Sequence, residues 1–257
     1  MKIVLIGAGN VATQLALALK STEHSIVQVF SRTAQSAAAL AERISAPYTH
    51  DFHSIDPNAD LYIYALSDDA LMSFIQLNLA PHAVHIHTAG SVDITVFRGY
   101  IERFGVLYPL QTISKDKTLD FKQVPLLIEA SDKETKQLLY KLATDLSDNV
   151  YAYDSKQRLQ THLSAVFVNN FVNYLFQIAA DLMEEAKMDF EVLKPLIRET
   201  VEKLNYLSPA AAQTGPAKRN DQAIMLKHLE LLKDKPELQK IYQALSKMIL
   251  NQNLHQS

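Results

Sequence analysis

The chain has 257 residues, 48% hydrophobic and 21% charged, with a formal net charge of −3 and no cysteine. That length accommodates one large domain or two ordinary ones, and the composition supports a sizeable core rather than disorder. The missing thiols exclude disulfides, thiolate metal sites and a cysteine nucleophile; the missing basic excess argues against nucleic acid and an anionic membrane surface.

Strands and helices alternate from the N-terminus. Residues 2–6 form a short continuous apolar run, the pattern of a strand covered on both faces, and the run is too short for a signal-peptide core. Residues 10–20 follow with helical spacing of Val11, Leu15 and Leu19. A second strand is expected at 26–30, an Ala-rich helix at 33–44 and a short strand at 47–49. Further strands are expected at 61–66, 84–87, 105–108, 124–129 and 149–153, with helices at 69–77 and 133–146. Repeated βα units with short connections predict an α/β fold, a Rossmann-type doubly wound, mostly parallel sheet.

Past residue 153 no strand pattern occurs, so the expected division is a nucleotide domain at 1–153 and an all-α C-terminal domain at 154–257. Residues 155–187 read as one long helix, capped by Asp154-Ser155. Three more helices are expected at 190–204, 220–233 and 236–250, the last with Pro236 in its first turn. Residues 159–180 contain no Asp, Glu, Lys or Arg and are long enough to span a bilayer. Gln160, His162, Ser164, Asn169, Asn170, Asn173 and Gln177 interrupt that stretch. So many polar groups are costly in hydrocarbon, so a helix buried inside protein is expected, with no membrane association. Because it is apolar nearly all round, a homodimer through the helical domain is also expected.

Gly7-Ala8-Gly9-Asn10-Val11-Ala12 fits G-x-G-x-x-G/A. Alone the hexapeptide is weak, but here it follows an apolar strand and opens an amphipathic helix. Gly7 permits the tight turn, Gly9 lets the backbone approach a pyrophosphate, and Ala12 lets the helix pack closely on the sheet. The free N–H groups of that helix end, from Asn10 and Val11 on, suit phosphates. The second strand ends Phe30-Ser31-Arg32-Thr33, with no carboxylate for a ribose 2′-hydroxyl. Arg32 can grip a 2′-phosphate, with Ser31 and Thr33 adding hydroxyls, so NADP(H) is expected rather than NAD(H). Leu66 and Ser67 leave the fourth strand, and Thr88 and Ala89 leave the fifth. They are expected to border the nicotinamide ribose and ring.

These features, with the all-α C-terminal half, resemble the superfamily of pyrroline-5-carboxylate reductases, ketopantoate reductases and β-hydroxyacid dehydrogenases. More narrowly, the chain resembles the family that joins a Rossmann-like domain to a DUF2520 domain, described as NADP oxidoreductases. Tyr108-Pro-Leu-Gln-Thr112, the stretch from His162 to Asn170 and the stretch from Gln213 to Asp221 support the resemblance, which spans nearly the whole chain. It implies an enzyme acting on a small-molecule substrate, and the absence of cysteine fits a reducing, cytoplasmic setting. One departure matters: β-hydroxyacid dehydrogenases carry a Lys with an Asn one turn later on the long helix, whereas here Lys156 is followed by Gln160. The Lys-based mechanism is therefore not carried over.

Reduction of a carbonyl or imine needs a proton donor besides the cofactor's hydride. His162 is the leading candidate, because an unperturbed histidine titrates near ~6.5. Asn169, two turns on, is expected on its face, with Asn170 nearby. A hydrogen-bonded core or interface histidine is the alternative. Gln111 and Tyr108 follow the sixth strand and can border a cleft, although Tyr108 can equally be packing. In the loop 213–221, Thr214 and Arg219 can bind an anionic substrate; a plain helix-capping loop is the alternative. His82, His85 and His87 invite a metal reading, but no third ligand at suitable spacing is evident, so no metal is expected. The resulting expectation is an NADP(H)-dependent oxidoreductase reducing a small carbonyl or imine compound. A non-catalytic NADP(H)-binding regulatory or partner protein is the alternative, and a deazaflavin is a further candidate ligand.

Overall fold

A computed structural model describes residues 1–117 and 119–254 of the chain. The strands are β1 (Lys2–Ile6), β2 (Ser25–Phe30), β3 (Tyr48–Thr49), β4 (Leu61–Tyr64), β5 (Val84–His87), β6 (Arg103–Pro109), β7 (Leu126–Ala130) and β8 (Val150–Ala152). They form one sheet in the order β3-β2-β1-β4-β5-β6-β7-β8. Every pairing is parallel except β6 with β7. The expected doubly wound α/β architecture is therefore present, and the strand order reverses between β1 and β4, where such sheets open a crevice.

Alternation along the strands divides the core in two. Ile3, Leu5, Ile63 and Ile86 face one side, and Val4, Ile6, Tyr62 and Tyr64 the other, all buried. The first side is covered by α1 (Asn10–Leu19), α2 (Ala34–Ile44) and α4 (Lys133–Leu146); α3 (Asp68–Ile75) covers the second. That two-sided burial is why β1 reads as an unbroken apolar run.

The chain forms two compact units, Met1–Leu175 and Phe176–Ser257. The predicted long helix begins at Asp154, whose carboxylate and Gln157 form a capping box, and runs as α5 (Ser155–Ala165). It continues through a π-helical segment, Val166–Phe171, into α6 (Val172–Glu185). Within the second unit follow α7 (Lys194–Glu202), α8 (Pro209–Ala212), α9 (Gln222–Leu231) and α10 (Pro236–Leu254). There Gln239 Nε2 donates to Leu229 O at 2.8 Å and His228 Nδ1 meets Tyr242 Oη at 2.8 Å, tying α10 to α9.

The expected burial of the long helix is not found. Ser155–Glu185 is long and apolar enough to cross a membrane by length and composition, and its most apolar window is 0% buried. Leu159, Leu163, Phe167, Val168 and Phe171 are exposed. Burial was inferred from apolarity, but apolarity calls for cover without specifying its source, and one chain does not supply it.

Candidate functional site

The carboxyl ends of β1, β2, β4 and β5 are in register, with Ile6 opposite Phe30 and Tyr64, and Tyr64 opposite His87. Gly7, Ser31, Ala65 and Thr88 therefore leave the sheet at a common rim. Backbone bonds extend the ladder to that rim, from Gly7 N to Phe30 O at 2.8 Å and from Ala65 N to Ile6 O at 2.8 Å. Gly7 turns with φ +120, and a Cβ there would lie 2.2 Å from Ala65 O. Only glycine meets both constraints. Ala8 is buried behind it. At Gly9 a Cβ would find nothing within 4 Å, so the space over the start of α1 is open. Gly9 caps α1 without a side-chain hydrogen bond, leaving the first-turn N–H groups of Asn10, Val11 and Ala12 for a ligand.

Ser31 and Arg32 follow directly on the end of β2. Arg32 is exposed and has no ion-pair or hydrogen-bond partner among the described residues. Thr33 caps α2, accepting from Ser36 N at 3.4 Å, so its hydroxyl is already engaged. Leu66 is half-buried at the rim. Ser67 is the N-cap of α3, its side chain making no capping bond. Asp68 accepts from Ser91 Oγ at 2.5 Å, which ties the loop after β5 to α3. Thr88 is buried and Ala89 half-buried. A glycine turn open to phosphate, free helix-end donors and a guanidinium with no competing carboxylate fit NADP(H), which Gly7, Gly9, Asn10, Val11, Ser31 and Arg32 would hold.

A second feature lies beyond β5. His162 on α5 places Nδ1 3.0 Å from Tyr108 Oη on β6. The two rings meet edge to face with centroids 6.0 Å apart, and both are half-buried. They flank a cavity of about 540 Å³ that Gln111, Ser164, Asn169 and Asn170 also line. The structure brings His162, Asn169, Asn170 and Gln111 to the lining of one cavity. The π-helical segment contributes to it: with i→i+5 bonding each turn holds an extra residue, so the register after residue 166 slips. Asn169 and Asn170, both within that segment, line the same cavity. Gln14 on α1 donates to Ser114 O at 2.7 Å and Lys117 O at 2.8 Å, pinning the loop that carries Gln111.

The first turn of α5 is fixed by a network that sequence reasoning missed. Arg158, 1% exposed, pairs with Glu129 of β7. Its Nη2 donates to Ser155 Oγ at 3.1 Å and also binds Val92 O in the loop after β5. Ser155 Oγ donates to Glu129 at 2.7 Å and accepts from Ile94 N at 3.0 Å. An Arg and a Glu 29 residues apart carry no local signal of their pairing. Gly90, in the turn after β5, was missed too: a Cβ there would lie 2.7 Å from Tyr108 Cζ and 2.9 Å from His162 Nδ1.

The remaining predicted residues lie elsewhere. His85 Nδ1 meets Tyr64 Oη at 2.9 Å and its Nε2 meets Ala80 O at 3.0 Å. His87 Nδ1 accepts from Ala89 N at 3.2 Å and its ring stacks near Phe97. In the second unit Thr214 and Arg219 are exposed, Gly215 turns with φ +106, and Asp221 caps α9 through Ile224 N.

A family model described as NADP oxidoreductase, coenzyme F420-dependent, matches residues 2–84, and the model of the domain of unknown function DUF2520 matches residues 124–249. No curated protein matches the chain. Among solved structures, the putative NADP oxidoreductase from Bacteroides fragilis is 44% identical, with 97% of this chain and 98% of that chain covered and a TM-score of 0.89. The reductive aminase from Aspergillus terreus, in complex with NADPH and ethyl levulinate, shares the fold at 16% identity and TM-score 0.74, covering 98% and 94% of the two chains. A 1-pyrroline-5-carboxylate reductase from Streptococcus pyogenes does so at 14% identity and TM-score 0.65, covering 98% of each. The chain therefore belongs to the family of NADP oxidoreductases that join a Rossmann domain to a DUF2520 domain.

Proposed function

We propose that this protein reduces a small imine or carbonyl compound with NADPH, and that His162 delivers the proton. The observation that carries the reading is the Tyr108–His162 pair on the wall of a cavity shared with Gln111, Asn169 and Asn170. Reduction of C=N or C=O consumes one hydride and one proton. When bound, the reduced nicotinamide supplies the hydride. An imidazole is suited to give the proton near neutral pH, and the Asn169 and Asn170 amides can both donate to and accept from the substrate. The reductive aminase and pyrroline-5-carboxylate reductase that share this fold bear names of C=N chemistry, which favours an imine. The working form is a cytoplasmic homodimer.

The test is NADPH oxidation, read as loss of nicotinamide absorbance, against cyclic imines (1-pyrroline-5-carboxylate among them), ketone–amine pairs and an oxidised deazaflavin. Turnover of an imine or ketone that falls at least about 100-fold in His162→Gln is expected. Tight NADPH binding with no turnover in the panel would indicate a non-catalytic binding protein. Turnover of the deazaflavin alone would make that the substrate, and undiminished turnover in His162→Gln would remove the histidine as donor.

A further inference from the structure

We infer that the cavity beside His162 takes a substrate whose polar substituent is uncharged, a carboxamide or a hydroxyl, and discriminates against the corresponding carboxylate. This names the substrate class of the site proposed above and rests on that cavity being where the substrate binds. Its lining comes from residues within 108–112 and 161–170, all in the first unit. Among those lining residues there is no Lys, Arg, Asp or Glu, and His162 alone can become a cation. A histidine that hands its proton to the substrate is neutral once it has done so, and cannot balance a carboxylate through the reaction. Arg158 stands one turn before His162, but it is 1% exposed and paired with Glu129. A carboxylate entering the cavity would shed water without meeting a fixed positive charge, which is costly.

The neutral groups on the wall point the same way. Gln111 Oε1 accepts from Thr112 N at 2.8 Å, which leaves the NH₂ of its amide as the free end. Ser164 Oγ donates to Gln160 O at 2.9 Å, and Thr161 Oγ1 donates to Gln157 O at 2.8 Å. A hydroxyl has a single hydrogen, so both now offer the cavity only lone pairs. Asn169 and Asn170 have no hydrogen-bond partner among the described residues, and each brings a donor and an acceptor.

The wall is therefore a mixture of donors and acceptors. A carboxylate has acceptors only and would set them against the Ser164 and Thr161 oxygens. A carboxamide or a hydroxyl carries both kinds and can satisfy both, while Leu110 and Val166 offer apolar surface to the carbon skeleton. Gln111 is the specificity-determining residue in this arrangement, because its free end is a neutral donor where a carboxylate would need a cation.

The test reads binding as well as turnover. Tetrahydrofuran-2-carboxamide and tetrahydrofuran-2-carboxylate share one ring, carry no amine and have no C=N bond to reduce. Each is titrated calorimetrically, near neutral pH, into the full-length chain loaded with NADPH. The carboxamide is expected to bind at least about 10-fold more tightly, the scale on which a polar site rejects a ligand that leaves its groups unpaired. In Gln111→Lys, an ammonium replaces the free amide, and the ratio of the two affinities is expected to move at least about 10-fold toward the carboxylate while the NADPH dissociation constant is unchanged. A merely structural defect would weaken both ligands alike and leave the ratio where it was. Equal affinities, a preference for the carboxylate, binding of neither, or a ratio unmoved in Gln111→Lys would each overturn the inference. In turnover, 1-pyrroline-5-carboxamide is expected to exceed 1-pyrroline-5-carboxylate by at least about 10-fold in kcat/KM. If the carboxylate is the better substrate, the reductase reading stands and this one fails. If the carboxamide binds selectively while no imine or ketone is reduced, this one stands and the reductase reading fails.

Discussion

His85 and His87 show how the fold decides what a histidine can do. Both point into the aromatic side of the sheet, where Tyr62 stacks on His85 with centroids 4.7 Å apart. Burial drives the pKa of His85 down to about 4, only partly offset by its bond to Ala80 O. Burial, and then the positive charge of Arg158, drive that of His87 down to about 3, against a small opposing pull from Asp93. His87 Nε2 is buried without a partner, so a proton there would gain nothing to offset desolvation. In the unfolded chain both titrate near 6.5. As pH falls below that value the unfolded chain takes up protons that the folded chain refuses, so stability is lost between about 6.5 and 4. Each group contributes roughly 1.4 kcal/mol per pH unit across its window. Urea unfolding should therefore show roughly 4 kcal/mol less stability at pH 5 than at pH 7.5. A His87→Asn variant should show a visibly shallower dependence, and a flat wild-type profile would mean that these rings are solvated.

At the scale of elements, the first turn of α5 is held by a buried charge pair, and removing one partner should be costlier than removing both. Arg158→Met leaves Glu129 desolvated and unpaired, and losing one partner of such a pair costs about 3–5 kcal/mol. Arg158→Met/Glu129→Leu removes the charge as well, and chemical denaturation should show it recovering most of that loss. Equal, additive losses would show that the pair is solvated. The Rossmann elements were legible because their signals are local: continuous apolar runs for two-sided strands, period 3.6 for their helices, and glycines where φ and space demand them. The clamp was not legible, since Glu129 and Arg158 are ordinary residues until the sheet brings β7 against α5. Nor was the π-helical segment, because Ala165-Val166-Phe167-Val168 reads the same whether its carbonyls bond four or five residues on. Tyr108 stood between packing and cleft for the same reason: its partner lies 54 residues away. Antiparallel β7 was hidden too, because strand direction leaves no mark on an apolar run.

For the whole molecule, the unresolved account is that of apolar surface. Phe167, Val168, Phe171 and Tyr174 are each more than half exposed on the long helix. Within the second unit Val192, Leu196, Leu226 and Met248 are more than 60% exposed, and of its apolar side chains only Ala217 and Leu232 are buried among the described residues. So many large apolar side chains left to water call for a cover. A bilayer would cover them only by also taking Asn169, Asn170, Asn173 and Gln177, amides that hydrocarbon cannot satisfy. A second copy of the chain can supply both apolar contact and hydrogen-bond partners, and point-group symmetry makes a self-complementary pair the commonest outcome. Light scattering coupled to size exclusion should therefore give twice the chain mass of 28.8 kDa at micromolar concentration. Phe171→Glu, placing a charge in the middle of that surface, should shift the mass toward the single chain while NADPH binding at the Rossmann rim persists. A wild-type chain that runs as a monomer and sediments with lipid vesicles would reverse the assignment and make the long helix a membrane element; a monomer that stays in solution would overturn the dimer outright.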